Sequence, residues 1–70
     1  MSGEEYSRVE TGMSYSQVVD IVGSRGKEMS RTSLGGHTSV TVLWENWDGS
    51  NMIVSFSNDR VVTKAQAGLR

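Results

Sequence analysis

Between Gly23 and Gly26 the spacing of apolar residues changes period, and that change restricts the fold more than any other feature of the chain. Before it, Tyr15, Val18, Val19 and Val22 recur at i, i+3, i+4 and i+7, with Ile21 widening the stripe. This is the spacing of one helix face. After it, Val40, Val42 and Trp44 alternate with more polar neighbours, as do Met52, Val54 and Phe56, which is the spacing of strands with one buried face. Helical and strand periods segregated along the chain predict an α+β domain.

The helical half is punctuated at both ends. Ser14 suits an N-cap, and Gln17 three places on completes the capping-box pattern in "SYSQ". Met13 and Val18 stand at the N′ and N4 positions of a hydrophobic staple. Gly23 follows the last apolar residue and suits a left-handed cap. A helix over 14–22 is predicted. Upstream, "EEYSRVE" predicts a short first helix, with Glu4 and Glu5 at its positive dipole end and Gly12 closing it at a sharp corner. A DNA-reading helix-turn-helix is rejected, because the second helix carries Asp20 and no Lys or Arg. One domain is expected over 1–70, with residues 1–3 read as a disordered or added leader.

In the strand half, "KEMSRTSL" is a weak, polar edge strand followed by the loop "GGHTS", while "VTVLWENW", "NMIVSFS" and "RVVTKAQA" complete a four-stranded antiparallel sheet. A two-residue "DG" turn would mix polar and apolar faces. An odd loop of three or five residues, "DGS" or "WDGSN", pairs Trp44 with Val54 and Val42 with Phe56. A two-residue "ND" turn then pairs Phe56 with Val61. The predicted core is Val40, Val42, Trp44, Val54, Phe56, Val61 and Ala65 beneath Val18 and Val22. Thr41, Leu43, Glu45, Ile53, Ser55, Val62 and Lys64 fall on the opposite face, which is either an ordinary mixed surface or an interface.

At 70 residues the chain is short enough that burial alone gives a marginal core. It has no Cys for disulfides or thiolate sites, and its single His37 excludes a multi-His metal centre. Self-association is the remaining source of stability, so a homodimer is expected. Seven basic residues are scattered against eight acidic ones, which argues against a nucleic-acid surface. No apolar run reaches the roughly 20 residues of a membrane span. "GSRGK" lacks the first Gly of a phosphate loop, since Ile21 stands at that position. No "GxSxG" elbow is present, and Glu45 and Asp48 near a hairpin tip have no cleft to work in. An enzyme is not expected, nor is a cofactor or metal. "WENWDGSN" is the most unusual surface segment: Trp47 either folds over the loop and caps the sheet edge, or stands out as a binding hot spot.

The strings "VETGMSYSQVVDIVG" and "VLWEN…NMIVSFSNDRVVTKAQAGL" together resemble the domain of beta-lactamase inhibitory protein and its small lipoprotein relatives. More distantly the chain is similar to the SmpA/OmlA (BamE-like) outer-membrane lipoproteins. Gly12, Met13, Ser14, Val18 and Gly23 carry the first part of the resemblance, and Val54, Phe56, Asn58 and Val61 the second. The match runs over roughly residues 6–69. The resemblance implies a helix-loop-helix packed on one face of a four-stranded antiparallel sheet. It also implies an exported, cell-envelope or secreted protein that binds other proteins and does no chemistry. This chain has no lipobox Cys, lacks the Cys pairs of the inhibitor's domains, and holds one unit where the inhibitor holds two in tandem, so beta-lactamase as the partner does not follow from the resemblance. The expected protein-binding residues are Trp47, Asp48, Leu43, Glu45, Ile53 and Val62, with Trp47 as apolar anchor and Asp48 as directional charge. The alternative is a small cytosolic or phage-borne homodimeric regulator.

Overall fold

A computed structural model describes residues 2–68. Two helices, α1 (Gly3–Arg8) and α2 (Tyr15–Val22), precede four strands, β1 (Lys27–Leu34), β2 (His37–Glu45), β3 (Asn51–Ser57) and β4 (Arg60–Ala67). The strands form one antiparallel sheet in the order β1-β2-β3-β4. Both helices pack on one of its faces. The α+β helix-loop-helix-on-sheet fold is the one the change of period predicts.

The start of α2 is built as its sequence reads. The Ser14 hydroxyl accepts from the Gln17 N–H, and Gln17 Oε1 accepts from the Ser14 N–H at 2.8 Å. Gly23 ends the helix at φ 86°. A third donor of this first turn is met from across the chain, since the Tyr15 N–H donates to Asp59 Oδ1 in the β3–β4 turn at 3.2 Å.

α1 departs from expectation at both ends. Ser2 caps it and Gly3 opens it, where the sequence reading leaves residues 1–3 outside the fold. It ends at an extended Val9 rather than at Gly12. Val9 leaves the helix to become fully buried. Gly12, at φ 94°, instead aligns the inter-helix segment on β4. Its N–H donates to the Val61 carbonyl at 2.9 Å, and the Met13 carbonyl accepts from the Val61 N–H at 2.8 Å. The Gly-Met pair ahead of α2 therefore serves as a short strand-like brace between the helical layer and the sheet.

The core comprises Val9, Val18, Val42, Trp44, Met52, Val54, Phe56 and Val61. Tyr15 joins the layers, its ring edge-on to Phe56 at 5.7 Å and tilted over Trp44 at 6.4 Å. The Trp44 indole N–H is satisfied by the Ser24 carbonyl at 2.8 Å. Burial of apolar area at about 25 cal/mol per Å2 supplies the main stabilisation of such a core.

Three expectations about the sheet are corrected. The loop "GGHTS" shrinks to Gly35–Gly36, both at positive φ, and β2 begins at His37. Trp44 lies opposite Met52 and Val42 opposite Val54, two residues from the predicted register. The apolar faces still coincide, because an offset of two preserves the pleat. The offset is set by the loop 46–50, closed by an Asn46 N–H bond to the Ser50 carbonyl at 2.8 Å.

The third correction concerns β4. Asn58 and Asp59, both at positive φ, make the predicted two-residue turn that pairs Phe56 with Val61. The ladder then shifts, so that Ser55 faces Thr63 and Val62 is an extra residue. A bulge of this kind reverses the facing of every residue beyond it. Lys64, expected on the outer face, lies opposite buried Val54 on the helix side. Its Nζ donates to the Tyr6 carbonyl at 2.8 Å and sits 4.2 Å from the centre of the Tyr6 ring. Ala65, expected in the core, lies opposite Ile53 on the outer face.

Candidate functional site

The sheet face away from the helices has no layer over it. Along its centre Lys27, Leu43, Ile53 and Ala65 are successive neighbours across the four strands. The next rung is a row of hydroxyls, Ser30, Thr41, Ser55 and Thr63, in which Thr41 and Ser55 lie 3.4 Å apart. Leu43 is half-buried and Ile53 is 40% exposed. Short hydroxyl side chains flanking an apolar centre leave the face low in relief, so a partner surface can approach its backbone closely. Val62 was expected to extend this apolar row. It is 48% exposed at the bulge, and Ala65 stands opposite Ile53 in its place.

The face leads at one end to the β2–β3 tip. Glu45, exposed, forms the last pair with Asn51. Beyond it, residues 46–50 form a loop held by its own side chains. Asn46 Nδ2 donates to Ser50 Oγ at 2.9 Å, and the Gly49 N–H donates to the Asn46 carbonyl at 3.1 Å. Asp48 Oδ1 accepts both the Ser50 N–H at 3.0 Å and the Ser50 hydroxyl at 2.7 Å. Ser50 is thereby buried although it is polar and in a loop. Gly49 takes φ 92°, which closes the turn without a side chain.

Trp47 stands at the apex of this frame and is 99% exposed. The indole neither folds over its loop nor caps the sheet edge, which removes the structural explanation of that residue. Asp48 has a part in the loop itself, because Oδ1 of its carboxylate is engaged in shaping it. The sequence discloses Trp47 and Asp48 as neighbours at a tip. The role of Ser50 depends on closure of the loop, and nothing in its local sequence marks it as buried.

Among the described residues no group of three His, Cys, Asp or Glu side chains is placed to hold a metal ion, and no helix is long and apolar enough to cross a membrane.

Helix-loop-helix on a four-stranded meander, with an open sheet face and a preset apolar tip, defines a small α+β module with a surface for contact. The model of the beta-lactamase inhibitor (BLIP) family matches residues 2–70, and the chain belongs to that family. A solved structure of a candidate beta-lactamase inhibitor protein from Streptococcus mutans, determined at 1.40 Å, superposes with a TM-score of 0.85 at 18% identity. The superposition covers 100% of this chain and 46% of that one, so the chain spans less than half the length of the relative. At that identity the likeness is one of fold. No curated protein matches the chain. The family is described as one of beta-lactamase inhibitors.

Proposed function

We propose that this domain docks on a protein partner through its outer sheet face and its β2–β3 tip, in the manner of an inhibitor. The observation that carries the reading is Trp47, an indole 99% exposed on a loop whose shape is fixed by internal hydrogen bonds. An exposed indole on a flexible loop would lose entropy on binding. One held on a preset loop loses less, and its burial supplies a large apolar area. Leu43 and Ile53 provide the apolar centre of the docking face, Glu45 its charged rim and Val62 an outlying contact at the bulge. Asp48 contributes by holding the tip. The family and the fold neighbour make a beta-lactamase the first partner to test, and an extracytoplasmic setting is part of this reading.

The test is binding and inhibition of a panel of beta-lactamases by the wild-type chain and by Trp47→Ala. Because Trp47 makes no packing contact to lose, its removal is expected to change stability by less than about 0.5 kcal/mol while costing about 2 kcal/mol or more in affinity. Equal affinity of wild type and Trp47→Ala for a partner that the domain does bind would exclude the tip from the interface.

A second reading concerns a second copy of the chain. The S. mutans relative is long enough for two units of this size, since one copy covers 46% of it. The row Leu43, Ile53 and Ala65 offers a surface on which two such units meet. On this reading the homodimer presents the paired surface that the longer chain carries covalently.

A further inference from the structure

On the helix side of the sheet, the two helices leave one end uncovered, and there a cleft of about 600 Å3 opens. Half-buried Val40 and the ring of Tyr15 line it, over Val42 and Phe56, which are each only 3% exposed. The remaining lining comes from the α2–β1 connection, β1, the start of β2 and the β3–β4 turn, including Arg25, Glu28, Arg31, Thr38 and Asp59. The volume lies in the range of small-molecule sites, and the combination of an apolar surface with few polar groups is their usual make-up.

The cleft is built in advance of any occupant. Tyr15 is tethered at both ends, its N–H to Asp59 Oδ1 and its hydroxyl to the Arg25 carbonyl. The β3–β4 turn is tied to β2 by reciprocal bonds, Asn58 N–H to the Thr38 carbonyl at 2.8 Å and Thr38 N–H to Asn58 Oδ1 at 2.9 Å. The charges on the rim are not equally engaged. Glu28 is paired with Arg31 at 2.7 Å, and Asp59 is held at the positive end of α2. The Arg25 guanidinium has no hydrogen-bond or ion-pair partner among the described residues, and it is exposed at the mouth. One unpaired positive charge therefore stands at a cleft lined by Val40 and the ring of Tyr15.

We infer that this cleft binds a small organic carboxylate with an apolar body. The body lies on Val40 and the ring of Tyr15, and the carboxylate takes charge-assisted hydrogen bonds from Arg25. The inference is independent of the docking face, which lies on the other side of the sheet.

The experiment is an NMR titration of the whole chain with 3-phenylpropionate, against its neutral amide 3-phenylpropanamide as comparator. Saturable shifts are expected for Tyr15, Val40, Val42 and Phe56, with the amide at least about tenfold weaker, as befits loss of a hydrogen bond between charged groups. Arg25→Gln is expected to weaken the acid by a similar factor at unchanged melting temperature, and Trp47→Ala to leave its binding unaltered. Absence of saturable shifts up to the solubility limit would overturn the inference. So would equal binding of acid and amide, or shifts confined to the outer sheet face.

Discussion

Two glycines of the same backbone hand separate conformational need from close packing. Gly23 has φ 86° and open space where a Cβ would stand. Gly26 has φ 69°, and a Cβ there would lie 2.7 Å from Trp44 Cε2 and 2.8 Å from Val42 Cγ1. Trp44 cannot readily yield, since its indole N–H is anchored to Ser24. Gly23→Ala is therefore expected to cost only the left-handed strain, about 1–2 kcal/mol, and Gly26→Ala about 2–5 kcal/mol by adding overpacking. Denaturant midpoints of the two variants check this, and equal losses would mean that Trp44 moves aside. Phe56, under the ring of Tyr15, tests the core in the opposite sense. Phe56→Ala should cost about 3–5 kcal/mol, a large share of what a small domain has, and should lower the melting temperature sharply. A variant that melted with the wild type would show that Phe56 is not central to the packing.

The elements differ in how far their determinants are local. α2 is specified by side chains within its own first turn and by Gly23 after its last, and its sequence discloses both ends. Ser14→Ala removes the oxygen that receives the Gln17 N–H and should cost about 1 kcal/mol, read from the urea midpoint. No loss would mean that water or Asp59 satisfies the turn unaided. α1 was harder to delimit. Its end is dictated by Val9 entering the core and by Gly12 pairing with Val61, both partners lying far along the chain. The sheet divides the same way. Alternation fixed which face of β2 and β3 is buried, but parity leaves any even offset open, and the bonds across Asn46 and Ser50 choose among them. The bulge at Val62 leaves no mark in the alternation, so Lys64 and Ala65 fall on faces opposite to those expected. At the tip, Trp47 stood out in the sequence because a large apolar residue among polar ones is conspicuous. The cleft beside Arg25 did not, because its lining is gathered from segments with no shared pattern.

As a whole the molecule measures 38 by 19 by 17 Å, long for a chain whose Cα radius of gyration is 11.6 Å. A helical layer of two short helices cannot span strands of this length, so one sheet face is bare and the other is covered only in part. A domain with that much uncovered sheet gains by pairing. Sedimentation at micromolar concentration is expected to show a dimer, with a melting temperature that rises with concentration. A monomer at every concentration, melting at one temperature, would rule out association through Leu43 and Ile53. Association of this kind must also stop at two. Here the bulges at Met29 and Val62 have a consequence for the chain's behaviour when crowded. Each interrupts an edge strand of the sheet, and Gly12 and Met13 already take the backbone groups of Val61 on β4. Neither edge therefore offers an unbroken template onto which further chains could add. Concentrated solutions of this protein should accordingly remain free of fibrils, although its sheet is bounded by two exposed strands.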